Sequence, residues 1–91
     1  MKFEELLTKL EVITKVTPTE EQVKTIKNYV DMYIDNYQYA RPGYRLYQNT
    51  VCANNILITL GLNPEWKDKN IFPRLQTVEL LQEYVDKRET E

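Results

Sequence analysis

The sequence contains no histidine and only one cysteine among its 91 residues. Without imidazole, no side chain ordinarily titrates near neutral pH, and neither a Ser–His nor a Cys–His pair can form. A lone thiol can make neither an internal disulfide nor a thiolate cluster for zinc. We therefore expect a protein that is not an enzyme and has no metal or cofactor, in a reducing compartment.

Long apolar runs and a strong net charge are absent as well. No apolar stretch approaches the roughly 20 residues of a membrane span. Glu4, Glu5 and Glu11 interrupt the apolar pattern of the N-terminus, which argues against a signal peptide. Twelve basic and fourteen acidic side chains give a net charge of -2, so no global field favours a polyanion. The sequence predicts a cytoplasmic protein without membrane association.

Glycine is also scarce, with two residues, and apolar side chains recur in steps of three and four, as on one face of a helix. This pattern predicts an all-α fold, a single-domain antiparallel bundle formed by residues 1–91. Its four main helices are expected at about 2–15, 18–37, 44–60 and 73–87, with a short helical turn at 64–69.

Each predicted helix contributes apolar side chains to one core. Leu80 and Tyr84 fall outside the main apolar stripe of the last helix, so they are candidates for contact with another subunit. The predicted core consists of Phe3, Leu6, Leu10, Ile13, Val23, Ile26, Val30, Tyr33, Val51, Ile56, Leu57, Leu60, Leu75, Val78, Leu81 and Val85.

The third helix, ended by Gly61, is the most apolar and is predicted to be the central one, covered on most sides. Asn54 lies among its apolar residues, so we expect its amide to bond a tyrosine hydroxyl or a backbone group. Cys52 is interpreted as a small filler residue. A narrow stripe stays polar: Arg45, Gln48, Cys52, Asn55 and Thr59.

Two connections carry helix-start and turn signals. The second helix has two possible capping registers, Thr17 with Glu20 and Thr19 with Gln22. Further on, Pro-Gly at 42–43 is typical of the centre of a type II turn, and the proline disfavours a helical backbone at the residue before it.

The segment 37–48 is the candidate site. It lies within the longest carboxylate-free stretch, between Asp35 and Glu65. Interleaved rings and guanidinium groups can anchor a protein interface, stack a base or clamp a phosphate. Alternatively, the segment is a connector whose rings pack on the bundle and whose arginines pair with acids. The candidate binding residues are Tyr37, Tyr39, Arg41, Tyr44, Arg45 and Gln48.

The first functional hypothesis is a non-catalytic inhibitor or adaptor that binds a protein partner through this segment. Nucleotide or single-stranded nucleic-acid binding at the same segment is the alternative, and a homo-oligomer formed through Leu80 and Tyr84 is the second alternative. In size, acidity and helical content the chain resembles small phage- or plasmid-encoded inhibitors and bacteriocin-immunity bundles as a class, without a shared motif.

Overall fold

The structure, a computed structural model, describes residues 1–37, 41–66 and 72–87. It contains four helices and no strand within these ranges, which confirms the predicted all-α bundle. No helix in the described part is both long enough and apolar enough to cross a bilayer. The helices are α1 (Phe3–Thr14), α2 (Glu20–Tyr37), α3 (Pro42–Thr59) and α4 (Pro73–Lys87).

The helices that pack together run antiparallel. The amino group of Met1 donates a hydrogen bond to the carbonyl of Lys87, so α1 begins where α4 ends. The amide of Gln22 donates to the carbonyl of Thr59 at 3.1 Å, so α2 begins where α3 ends. Gln82, in the second half of α4, donates a hydrogen bond to the hydroxyl of Tyr37 at the end of α2, and Arg45 near the start of α3 donates to the carbonyl of Tyr37, so α4 also runs antiparallel to α3.

The start of α2 follows the second of the two predicted capping registers. The backbone N–H of Gln22 donates to the hydroxyl of Thr19 at 3.2 Å, and the N–H of Thr19 donates to the Gln22 side chain at 2.8 Å. This reciprocal pair is a capping box. The hydroxyl of Thr17 instead donates to Glu11 at 2.8 Å, so α2 begins at Glu20 rather than at residue 18.

The predicted type II turn at 42–43 is wrong, because α3 already begins at Pro42. A proline at the first helical position loses nothing, since the N–H it lacks would have no partner inside the helix. Arg41 precedes it with an extended backbone, φ -68° and ψ 153°, as the proline requires. The segment predicted as a loop therefore supplies the first turn of α3.

Gly61 ends α3 as predicted. Its φ of 79° is left-handed, and the N–H of Leu62 donates to the carbonyl of Leu57 at 2.9 Å. The N–H of Gly61 itself donates to the carbonyl of Ile58 at 2.9 Å. These two bonds form a Schellman motif, which satisfies carbonyls that the helix end would leave without partners.

The short element predicted at 64–69 is described only in its first half. Residues 64–65 form a turn, in which the side chain of Asn63 accepts a hydrogen bond from the N–H of Glu65 at 2.9 Å. The N–H of Trp66 donates to the carbonyl of Asn63 at 2.9 Å. Residues 67–69 lie outside the described ranges.

The core is close to the predicted one, with additions and two errors. Phe3, Ile13 and Val78 pack against it while partly buried. Val51 and Leu75, however, are exposed at 38% and 56%, so their assignment to the core is wrong. The buried apolar residues of the described part are Leu6, Leu10, Ile26, Val30, Tyr33, Cys52, Ala53, Ile56, Leu57, Leu60, Leu80 and Leu81.

The buried side of α4 is broader than its predicted stripe. Leu80 is only 5% exposed, so it offers no surface for the predicted subunit contact, and Tyr84 is half-buried against the core. The physical reason is that α4 packs against both α1 and α3. Leu81 lies at the centre of this broad buried arc. Leu75 lies about 120° away from it around the helix.

Candidate functional site

Two of the predicted binding residues, Tyr37 and Arg45, join α2 to α3. The guanidinium Nε of Arg45 donates to the carbonyl of Tyr37 at 2.8 Å, and its Cζ lies 4.6 Å from the centre of the Tyr37 ring. The Tyr37 hydroxyl accepts from the amide of Gln82 on α4 at 3.0 Å. Arg45 thus satisfies a carbonyl at the end of α2. The acceptor at this helix end is the backbone carbonyl of Tyr37.

The other predicted residues have different surroundings. Arg41 and Tyr44 are exposed at the start of α3, and Gln48 is half-buried. Tyr39 lies outside the described residues. Tyr47 is not among the predicted binding residues, yet its ring lies 5.9 Å from that of Tyr44, with an angle of 21° between the ring planes. Two exposed, nearly parallel rings therefore lie in the first two turns of α3.

The polar stripe of α3 lies on the side that packs against α2, where Cys52 is buried and the other four residues are half-buried. The thiol of Cys52 donates to the carbonyl of Tyr29 at 3.5 Å, and Arg45 reaches the last carbonyl of α2. The carbonyl of Thr59 receives the amide of Gln22. The expectation that this helix is covered on most sides is wrong, because these polar contacts occupy its α2 side and leave an apolar side outward.

That side is the outer face of α3, defined here as Tyr44, Tyr47, Val51 and Ile58. Their exposed fractions are 54%, 62%, 38% and 58%. Asn54 lies beside them, and its amide oxygen is buried without the hydrogen bond expected from the sequence. The spacing of three, four and seven residues is itself a sequence signal for a helix-pairing stripe. Because this helix is so apolar, it was predicted to be covered on most sides, and Val51 was assigned to the core.

A groove of about 230 Å³ lies between α2 and α3, beside the outer face. Its volume is below the range of about 300–1,000 Å³ that is usual for small-molecule sites. It therefore suits a single side chain of a binding partner better than a drug-sized ligand. All the lining side chains are uncharged: Tyr29, Met32, Tyr33, Asn36, Tyr44, Tyr47, Gln48, Val51, Cys52 and Asn55.

Two side chains of the groove have raised pKa values. Burial raises the pKa of the Cys52 thiol to about 12. Burial, followed by the proximity of Tyr37, also raises the pKa of Tyr33 to about 12. The described residues contain no cluster of three or more His, Cys, Asp or Glu side chains able to hold a metal ion. What this surface offers chemically is apolar contact and hydrogen bonding.

Comparisons with family models, curated proteins and solved structures give no match for the chain. The outer face of α3, the adjoining groove and Arg41 at the start of the helix are therefore the features from which a function can be inferred.

The burial of the Cys52 thiol between α2 and α3 can be tested by the pH dependence of stability. Because its pKa in the folded protein lies above the ordinary value of 9.0, the thiol contributes stability that is fully present below about pH 9 and is lost as the pH rises towards 12. This linkage lowers the free energy of unfolding by roughly 1 kcal/mol between pH 8 and pH 10. Urea unfolding of Cys52→Ala at both pH values should show a correspondingly smaller loss. An equal loss in the two proteins would contradict the burial.

Proposed function

We propose that this protein is a non-catalytic interaction protein that binds a protein partner through the outer face of α3, with the groove and Arg41 at its border. One observation carries the proposal. The polar stripe of α3 packs against α2 and is at least half-buried, whereas the residues of the outer face are exposed. Contiguous apolar surface of this kind marks interaction sites in soluble proteins.

The energetics favour association at this face. Complete burial of an apolar side chain contributes about 1.5–3 kcal/mol, and tyrosine is among the residues that dominate binding energy at interfaces. The only charged residue of α3 is Arg45, which is already engaged with Tyr37. Burying the outer face therefore removes few charged groups from water, so little desolvation cost opposes the gain.

The groove provides an anchor point for such a partner. Its rim includes Met32, which is 60% exposed, and a flexible thioether adapts readily to the shape of a bound group. Asn36, Gln48 and Asn55 bring amide groups to the same groove. We expect the partner to insert one apolar or aromatic side chain there, while its neighbouring residues cover the outer face.

Affinity capture tests this proposal. The tagged wild type and a Tyr44→Ala/Tyr47→Ala variant are incubated with a lysate of the cells that encode the chain, and the bound proteins are quantified by mass spectrometry. Each truncated hot-spot ring should cost at least about 2 kcal/mol, or about 30-fold in affinity. The partner should therefore disappear from the double variant while its melting temperature changes little.

Leu75→Ala is the matched control, because it removes an exposed apolar side chain from α4 instead. It should capture the same partner as the wild type. Equal capture by all three proteins would refute the proposal, as would a loss of helical structure in the double variant, because the two rings would then be structural.

Nucleotide or single-stranded nucleic-acid binding is the second candidate, favoured by the stacked Tyr44 and Tyr47 rings and by exposed Arg41. A base could stack on the outer ring while the guanidinium contacts a phosphate. This candidate predicts that oligonucleotides quench tyrosine fluorescence, and that the quenching weakens steeply with added salt. Absence of quenching at low salt would eliminate it.

A further inference from the structure

A second groove, called here the α1–α4 groove, lies between α1 and α4 and shares no residue with the outer face of α3. Its volume is about 360 Å³, within the range of about 300–1,000 Å³ that is usual for ligand sites. Half-buried Ile13 and buried Leu80 form its apolar base, and Val12, which is 73% exposed, borders it on α1. The groove therefore offers apolar contact to a side chain that enters from water.

The charged side chains of the α1–α4 groove leave one carboxylate unmatched. Glu83 accepts a hydrogen bond from the ammonium group of Lys9 at 2.9 Å, and Lys87 approaches the same carboxylate at 3.8 Å. Glu79 is exposed and lies one turn earlier on α4, about 6 Å along the helix axis. Within the ranges that the structure describes, Glu79 forms no ion pair and its carboxylate accepts no hydrogen bond. The group that complements this groove electrostatically is therefore a cation beside Glu79.

Gln76 favours a guanidinium group as that cation. It lies three residues before Glu79, so both side chains are on the same side of α4, and both line the groove. A guanidinium group carries several N–H donors in one plane and can donate to the carboxylate and to the amide oxygen together. Arginine also buries its methylene stem on apolar surface while its charged head stays among polar groups. Val12 and Leu80 provide such a surface for the stem.

We infer that the α1–α4 groove is a docking site for an arginine side chain of a partner protein, with an apolar residue beside it in the partner. The guanidinium group contacts Glu79 and Gln76, and the apolar neighbour covers Val12. An acidic segment is disfavoured, because it would bring a like charge towards Glu79. The inference goes beyond the proposed function, since the two surfaces share no residue and lie on different helices.

Butylguanidinium, which has the stem and the head of an arginine side chain, is the probe that tests the inference. Butylurea is the matched probe, because it has the same stem and a planar head without charge. When butylguanidinium is titrated into the ¹⁵N-labelled full chain at low salt, the backbone amide resonances of Val12, Ile13 and residues 76–80 should shift. It should bind about two- to five-fold more tightly than butylurea, the preference expected of one exposed ion pair. Added salt should reduce this preference by screening.

Three variants separate the charge from the apolar contact. Glu79→Gln should remove the preference for the cation and leave the binding of butylurea unchanged. Glu21→Gln is the matched control, because it removes an exposed glutamate from α2 and changes the net charge by the same amount. Val12→Ala should weaken both probes alike, since it removes apolar contact and no charge. All three positions are exposed, so the melting temperatures should change little.

Three results would overturn the inference: no shift of the groove resonances at tens of millimolar butylguanidinium, equal binding of the two probes, or an equal loss of preference in Glu79→Gln and Glu21→Gln. The last result would show that net charge, rather than the groove, attracts the cation.

The Tyr44→Ala/Tyr47→Ala variant keeps this test separate from the proposed function. It should bind butylguanidinium in the α1–α4 groove as the wild type does, because the outer face contributes no residue to this groove. A failure of probe binding in the wild type would therefore remove the arginine site alone, whereas equal partner capture by the double variant would remove the outer face alone.

Discussion

Leu80→Ala is expected to lower the free energy of unfolding by about 2–5 kcal/mol, whereas Leu75→Ala should change it by no more than about 0.5 kcal/mol. Leu80 is 5% exposed and belongs to the core, while Leu75 on the same helix is 56% exposed. Truncating a packed leucine removes its apolar burial and leaves a cavity, but truncating an exposed one does neither.

Urea unfolding of both variants measures the difference under identical conditions. The two changes share residue type and helix, so helix propensity largely cancels between them. The apolar periodicity of the sequence predicts the opposite order, with Leu75 inside and Leu80 outside. A larger loss for Leu75→Ala would therefore support the sequence-based core and contradict the packing of α4.

Arg45→Ala is expected to destabilise the protein by about 2–4 kcal/mol, although Arg45 was predicted as a binding residue. A hydrogen bond from a charged donor contributes about 1.5–3 kcal/mol, and a cation over an exposed aromatic ring adds about 0.5–1 kcal/mol. Arg45 makes both interactions with Tyr37, so its loss removes both contacts with the end of α2.

Arg41→Ala is the matched control, since Arg41 is exposed at the start of α3 and should change stability by less than about 0.5 kcal/mol. Arg45→Lys should recover only part of the loss, because an ammonium group lacks the planar guanidinium that stacks on a ring. Denaturation midpoints of the three variants measure how much the Arg45 contacts stabilise the fold. An Arg45→Ala protein that is as stable as the wild type but no longer captures the partner would show that Arg45 is a binding residue.

Helix existence and helix ends were largely predictable because their signals are local. The capping box of Thr19 with Gln22 and the left-handed Gly61 depend on residues within one turn of the chain. The wrong prediction of a type II turn at 42–43 also has a local origin. Pro-Gly suits both a type II turn and the first turn of a helix, and only the packing of α3 against α2 chooses between them.

The direction in which α3 faces was not predictable from its own sequence. Its polar stripe looks solvent-exposed in isolation, yet Cys52 finds a carbonyl acceptor on α2. Hydrophobic periodicity shows how apolar each side of a helix is, but it contains no information about the groups that a neighbouring helix presents. Val51 was consequently placed in the core, although it belongs to the outer face.

The candidate site was therefore predicted in part. The carboxylate-free segment does contain exposed Arg41 and Tyr44, but Tyr37 and Arg45 connect helices. Aromatic and guanidinium groups suit intramolecular stacking as well as recognition, so composition alone could not separate the two uses. Tyr47 was missed because it was assigned to the apolar side of a covered helix.

The central claim, that the outer face of α3 faces water, is tested most directly by tyrosine acetylation with N-acetylimidazole, quantified by peptide mass spectrometry. The protein is kept below about 1 µM, so that a second copy does not cover the face by mass action. Tyr44 and Tyr47, at 54% and 62% exposure, should react rapidly, whereas Tyr33, at 4%, should not. Protection of Tyr44 and Tyr47 equal to that of Tyr33 would contradict the claim.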